Sequence, residues 1–520
     1  MVLGMDTTTP TSPGLPDHVR VLVVGAGFGG LGMAIRLAEH GEQDFLVIER
    51  GDDVGGTWRD NTYPGAACDV PSQLYSFSFA PNPDWSRSFS PQPEIQAYLR
   101  RVAERSQVMD RFRFGTSVDD ATWDAERHRW RVTTSAGALT ADVVVSAAGA
   151  LSDPKMPDIE GIDTFQGEVF HSARWNHDSD LTGKRVAVIG TGASSIQIVP
   201  EIAGKVAHLD VYQRTAPWVV PRRDRAYTRL ERLAFRHVPG LQKAYRTAIY
   251  WGREALVPAF TVNPKLAMPA KKAGLVNIHR GIKDPALREK VRPTFEIGCK
   301  RILLSNDYYP ALDRDNVDLV TDGIAKVTGN AVVTREGVER EVDVLVVATG
   351  FHTTDLPIAE RITGRDGETL AAQWEREGMS AYKGATTHGF PNLFFLVGPN
   401  TGLGHSSMVF MIESQIAYVV DALREMTARD IDTVEPKPAA QKRWNRDIQR
   451  RIRRTVWSAG GCSSWYLDAH GRNVTLWPRT TFTFRRLTRR FDAGKYLTTA
   501  RTRTFDDTAA ALTEKTEQPA

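Results

Sequence analysis

Val21-Leu22-Val23-Val24-Gly25-Ala26-Gly27-Phe28-Gly29-Gly30 joins an apolar run of strand type to a glycine-rich turn that opens a plausible helix. Strand, glycine turn and helix form the signature of a dinucleotide-binding fold, because glycines let the backbone approach a pyrophosphate at the helix start. A turn of this kind alone is weak evidence. Its surroundings make it specific. Phe45-Leu46-Val47-Ile48 reads as a second strand ending at Glu49, 24 residues beyond Gly25, where an acidic side chain accepts hydrogen bonds from a ribose. Cofactor contacts are therefore expected from Gly25, Gly27, Phe28, Gly30 and Glu49.

The pattern recurs. Val186-Ala187-Val188-Ile189 leads into Gly190-Thr191-Gly192-Ala193-Ser194-Ser195, and Leu209 to Gln213 reads as the following strand. The same spacing, counted from Gly190, lands on Arg214, followed by Thr215. A carboxylate there would repel a ribose 2′-phosphate, whereas a guanidinium can pair with it bidentately. The first fold thus reads as a site for FAD or NAD, and the second as a site for NADP held by Gly190, Gly192, Ser195, Arg214 and Thr215. The bland alternative for Arg214 is a solvated arginine at a strand end. The fold class expected is α/β, with two Rossmann-like dinucleotide-binding domains and a helical insertion in the second.

With 520 residues, two or three domains are expected. A net charge of +4 is weak at this length, and with no RNA- or DNA-binding motif it gives no case for nucleic acid. Cys68, Cys299 and Cys462 lie far apart, so neither a disulfide framework nor a zinc site is expected, and a reducing cytoplasm fits. The apolar run Leu393 to Ile412 is broken by Gly398-Pro399-Asn400 and His405, which argues against a membrane span. The chain divides into a disordered N-terminus (1–18), a first FAD part (19–150), a linker with the first NADP part (151–220) and a helical insertion (221–290). A second NADP part (291–345), a second FAD part with C-terminal elements (346–505) and a disordered tail (506–520) follow. Within the insertion, Arg222 to Arg253 is basic and amphipathic and carries Phe235, Tyr245, Tyr250 and Trp251. It is expected to be a cap with a solvated basic face, the other reading being a membrane-surface contact.

Between the two turns runs Phe165-Gln166-Gly167-Glu168-Val169-Phe170-His171-Ser172-Ala173-Arg174-Trp175-Asn176, with a histidine and a tryptophan four apart where a linker would carry Ser, Gly and Pro. It must lie where two cofactors could meet. The stretch resembles the fingerprint F-x-G-x-x-x-H-x-x-x-W of flavin-containing Baeyer–Villiger monooxygenases through Phe165, Gly167, His171 and Trp175. The family usually continues with Pro or Asp, where this chain has Asn176. A second family motif is matched by Gly55, Gly56, Trp58, Tyr63, Pro64, Gly65 and Asp69. Cys299-Lys300-Arg301 resembles the family's Lys-Arg pair, and Ser463-Ser464-Trp465-Tyr466 resembles the late loop that closes over NADP, in a context nearer the acetophenone-oxidising branch. The resemblance covers nearly the whole chain.

The resemblance implies that NADPH reduces FAD and that oxygen then forms a peroxide at flavin C4a, which attacks a ketone to give an ester or lactone. Sulfide oxidation is a further implied activity. Partners would be a small-molecule ketone and O2, with the protein a monomer or homodimer, and no metal is called for. Arg301 would keep the peroxide anionic and steady the adduct, since a guanidinium cannot lose its proton there. Asp69 would be its buried partner. His171 would gate between the domains, and Lys300 would join Arg214 and Thr215 at the NADP phosphate or ribose. Thr57, Trp58, Asn400 and Trp465 would add cofactor contacts. An N- or S-oxidising flavin monooxygenase shares these cofactors but does not require the Asp69 and Arg301 motifs. A disulfide reductase needs a redox cysteine pair, and a nonenzymatic NADP-binding sensor would have no use for Arg301.

Overall fold

The computed structural model describes residues 14–501. The expected disordered tail, 506–520, and residues 1–13 lie outside the described residues. Residues 14–18 do not fit the disordered N-terminus expected for them: Thr140 donates to the Asp17 carbonyl at 2.9 Å, and His18 opens the first strand.

In chain order the elements that carry the argument are β1 (His18–Val24), α1 (Phe28–Glu39), β2 (Phe45–Ile48), α2 (Thr57–Asp60) and α3 (Gln92–Arg105). Next come β3 (Val118–Asp124), β4 (Arg129–Thr134), β5 (Gly137–Ser146), β6 (Glu168–His171), β7 (Arg185–Ile189), α4 (Ser195–Ile202) and β8 (His208–Tyr212). The insertion contributes α5 (Arg229–His237), α6 (Leu241–Glu254) and α7 (Met268–Gly281). After it come β9 (Val317–Val320), β10 (Val344–Val347), β11 (Leu393–Phe395), α8 (Met408–Ala428) and α9 (Thr481–Thr488).

Two sheets organise these elements. In the first, of eight strands, β1 lies between β2 and β5, all parallel, and β11 joins the far side of β5. The antiparallel β3–β4–β5 meander extends it. The second has five strands, all parallel, in the order β9-β8-β7-β10-β6. Strands covered on both faces read as continuous apolar runs, which is why Val21–Val24 and Val186–Ile189 stand out in the sequence.

The stretch expected to be a link is in part a strand. Glu168–His171 is β6, the edge of the second sheet, with His171 opposite Val347 of β10. Phe170 and Trp175 meet edge to face with ring centres 5.0 Å apart, and Trp175 packs against the second core.

Candidate active site between two nucleotide folds

The first turn is shaped by close approach. Gly25 has φ +103°, and a Cβ there would stand 2.7 Å from the Ala147 carbonyl oxygen. At Gly30 a Cβ would fall 1.7 Å from the Gly25 oxygen, so helix and strand cannot pack this way with any larger residue. Gly27 starts α1, and a Cβ on Gly56 would come within 3.0 Å of its Cα. The Gly55-Gly56 motif is therefore seated directly on the turn, with the Gly55 amide donating to the Ala26 carbonyl at 2.9 Å. Thr57 and Trp58 open α2 beside it, and the Trp58 indole donates to the Tyr75 hydroxyl at 3.0 Å. The Phe28 ring turns away into the core, against Tyr75 and Phe77, so only its backbone is left to face a ligand.

Glu49 is buried at the end of β2. Its carboxylate accepts from the Ala26 and Gly51 amides, each at 2.7 Å, and pairs with Arg59 at 2.9 Å. A carboxylate has about four lone-pair sites, so acceptor capacity remains for a ribose hydroxyl. Nothing in the sequence pattern marked Arg59, which lies inside α2 and reaches back to Glu49.

The second turn repeats the construction. Gly190 has φ +115°, and a Cβ would lie 2.6 Å from the Ala348 oxygen, whereas Gly192 has open space around it. The Thr191 hydroxyl donates to the Thr215 carbonyl at 3.3 Å, which ties the turn to the end of β8. Arg214 is exposed there. Burial, and then the charge of Arg214, hold Lys300 below the usual lysine range. Two cations thus share one place beside the second turn, an arrangement that an anion would relieve.

Between the folds stands one ion pair. Arg301 donates to both Asp69 oxygens, Nε at 2.8 Å and Nη2 at 2.6 Å, and its Nη1 takes no part in the fork. Burial works to raise the Asp69 carboxyl, and the guanidinium outweighs it, holding it below the usual range. The Asp69 charge in turn raises Arg301 against the cost of burial. Tyr466 is buried close by, and burial lifts it to about 12 against the pull of Arg301.

Both partners arrive on segments that touch the second fold. Tyr63 donates to the Gln197 side chain of α4 at 2.9 Å, Gln197 donates to the Ala67 carbonyl at 3.0 Å, and a Cβ on Gly65 would strike the Gln197 carbonyl oxygen at 2.7 Å. Arg301 lies two residues before Leu303, which pairs in parallel with Val219.

Residues 22–234 match the family described as pyridine nucleotide-disulphide oxidoreductase. A Baeyer-Villiger monooxygenase of Streptomyces coelicolor is 56% identical over 482 residues, covering 92% of each chain. The chain belongs to the Baeyer–Villiger monooxygenases. Another, from Pseudomonas aeruginosa, is 52% identical over 493 residues, 94% of this chain and 93% of the relative. Among solved structures, cyclohexanone monooxygenase from Rhodococcus sp. Phi1 bound to NADP+ superposes with a TM-score of 0.82 at 30% identity, over 94% of this chain and all of the other. An oxidised steroid monooxygenase bound to NADP gives 0.80 at 32%, over 93% of this chain and all of the other.

For this Baeyer–Villiger monooxygenase the remaining expected site residues divide. His171 is buried, its Nδ1 accepts from the Ala173 amide at 3.1 Å, and burial pushes it down to about 4, so the ring is neutral at pH 7. Trp465 is half exposed and stacks obliquely on Tyr466, ring centres 4.4 Å apart. Two residues expected to meet cofactor hold the protein through their side chains. Asn400, in the left-handed region at φ +56°, donates to the Asn473 and Leu476 carbonyls at 3.0 and 3.1 Å. The buried Ser195 hydroxyl donates to the Gly190 carbonyl at 2.7 Å, bracing the turn from behind.

The cysteine reading is corrected too. Cys299 and Cys462 form a disulfide across 163 residues, and Cys68 is free and buried. The bond joins the Lys300–Arg301 segment to the late loop of Trp465 and Tyr466, so cysteine usage no longer argues for a reducing compartment. Sequence spacing missed it because the partners meet only through the fold. Arg253 of α6 was also unmarked: it donates to the Asp69 carbonyl at 3.5 Å. Among the described residues His208, Asp210 and Asp318 are the one group spaced to hold a metal, but Arg340 already pairs with both carboxylates, at 2.6 and 3.0 Å. No helix among them is long and apolar enough to cross a membrane.

Proposed function

We propose that the protein is an NADPH- and O2-dependent monooxygenase that inserts one oxygen atom beside a ketone carbonyl, giving an ester or lactone. FAD would be held at the first glycine turn with Glu49, and NADP at the second with Arg214, Lys300 and Thr215. The fit is supported by the two glycine turns, where Gly25, Gly30 and Gly190 allow a close backbone approach that no larger residue permits and Gly192 has open space, and by the unrelieved cations beside the second turn. Bound flavin, reduced by NADPH, supplies the activated oxygen.

The observation that carries the reading is the Arg301–Asp69 fork. Two residues from distant motifs meet between the folds and leave one guanidinium edge uncommitted. Asp69 fixes the plane of the guanidinium, and the pair keeps Arg301 charged despite its surroundings. A fixed positive charge stabilises negative charge as it develops on oxygen, without any reorganisation at the moment of reaction. His171, neutral and without a free proton-relay partner among the described residues, fits a positioning role rather than that of a base.

The test is oxygen and NADPH consumption by the FAD-loaded enzyme across cyclic, aryl and long-chain ketones, with thioanisole as the sulfide. Ester or lactone formed in step with NADPH use is the expected result. Sulfoxide formation with no ester from any ketone class would replace this reading by the heteroatom-oxidising one.

A further inference from the structure

The insertion departs from an ordinary soluble surface. Of the sixteen large apolar side chains that stand exposed among the described residues, ten fall between Leu230 and Val276. The inward face of α6 is anchored: Tyr245, Ile249 and Tyr250 pack on the first core, and Arg246 donates to the Gln73 and Ser76 carbonyls. Its outward face should then be polar. Instead Leu241, Ala244, Ala248, Trp251 and Ala255, spaced three and four apart, all stand exposed. The Trp251 ring meets Phe482 of α9, centres 6.3 Å apart, and Phe482 is itself half exposed.

The same region is cationic. Residues 229–290 hold thirteen lysines and arginines against four carboxylates. Arg485 and Arg486 on α9, and Arg489 just past its end, are exposed one and two turns beyond Phe482. Arg485 and Arg489 also line a cleft of about 310 Å³ together with Arg36 and Arg424. Its two carboxylates are already engaged: Asp421 accepts from the Phe491 amide at 2.7 Å, and Glu413 from the Ser78 amide at 2.5 Å.

We propose that this face, with Trp251 and Phe482 at its centre, docks on an anionic phospholipid bilayer. Apolar side chains for the acyl region stand beside an arginine-lined cleft for phosphate, which are the two chemistries a phospholipid surface offers together. A second copy of the chain would bring one cationic face against another and be repelled. On this proposal the inward side of the stretch is the cap expected of it, and the outward side meets lipid rather than water. Docking is independent of the reaction, and its test involves no turnover.

The experiment is flotation of the FAD-loaded full chain with vesicles of phosphatidylcholine containing about 30 mol % phosphatidylglycerol. Wild type floats with these vesicles, stays behind with pure phosphatidylcholine, and is released as salt is raised. Trp251→Ser with Phe482→Ser lowers the bound fraction roughly tenfold. Arg485→Glu with Arg489→Glu, both exposed, abolishes binding. Unchanged flavin content in each variant shows that the fold is intact. Wild type that fails to float with anionic vesicles overturns the proposal, as does equal binding to neutral ones. A wild-type dimer that Trp251→Ser makes monomeric, with no vesicle binding, also overturns it and assigns the face to contact between copies.

Discussion

The two glycine turns share one construction and differ in what waits at the end of the neighbouring strand. At the first, Glu49 is buried and held by the Ala26 and Gly51 amides and by Arg59. At the second, Arg214 is exposed, and its close neighbour Lys300 is a like charge. One site is organised before any ligand arrives. The other leaves two like charges unrelieved. A preorganised site loses little on binding and suits a cofactor that stays, while an open pair of cations suits one that must come and go with each turnover.

The largest effect expected is at the pair between the turns. Arg301→Ala should lower ester formation by about a hundredfold to a thousandfold, since removing one preorganised donor from a developing oxyanion costs about 10²–10³. Flavin reduction by NADPH should remain measurable, and oxygen should return as hydrogen peroxide. Stopped-flow reduction and product analysis on one preparation separate the two half-reactions. Near wild-type ester from that variant would remove Arg301 from the mechanism. Asp69→Ala should give a milder form of the same defect by leaving the guanidinium unoriented.

Glu49→Gln tests the first turn. It keeps the shape and removes the charge that Arg59 and the ribose share, so FAD affinity should fall about tenfold to a hundredfold, about 1.5–3 kcal/mol, while NADP affinity holds. Reconstitution of apoprotein, followed by flavin fluorescence, measures it. Equal losses at both sites would mean that the variant loosens the whole molecule, and the contrast between the turns would fall.

Arg214→Ala is the matching change at the second turn. Discrimination between NADPH and NADH should drop by tens of fold, again about 1.5–3 kcal/mol, with flavin content untouched. Steady-state kinetics with both nucleotides decide it. If the preference survives, Lys300 reads the phosphate and Arg214 is the solvated end.

An effect confined to stability at acid pH comes from His171. Its folded value, near 4, lies below the ordinary 6.5, so the native state disfavours the proton. Above about pH 6.5 both states are neutral and nothing is lost. As pH falls from about 6.5 to about 4 the unfolded chain takes the proton first, and the native state loses up to about 3 kcal/mol. Denaturant unfolding should show a constant stability difference between the wild type and His171→Asn above about pH 6.5, and below it a shift of that difference against the wild type.

What was legible in the sequence was whatever local geometry forces. Gly25, Gly30 and Gly190 could be read because no other residue fits where they sit, and Glu49 and Arg214 because strand length fixes their spacing from the turns. Asp69 and Arg301 were reached through family motifs. Their meeting across the folds is a tertiary fact that no spacing contains. The bracing role of the Ser195 hydroxyl and the Asn400 amide was not legible, because a polar side chain beside a turn serves the backbone as readily as a ligand, and only the hydrogen-bond partners tell which. Arg59, Arg253 and the pairing of Cys299 with Cys462 left no periodic trace. The outward apolar face of α6 was visible as amphipathic, but which face would be buried was not.

The disulfide has a consequence for motion. Cys299 and Cys462 close the intervening chain into a covalent ring, and that ring contains β10, β11 and α8. The late loop with Trp465 and Tyr466 leaves the ring three residues past one end of the bond, and Arg301 enters it two residues past the other. The late loop and the Arg301 segment are therefore leashed to a single anchor. The bond limits how far the two can separate, and a backbone nick anywhere inside the ring would leave the two resulting chains joined through the disulfide.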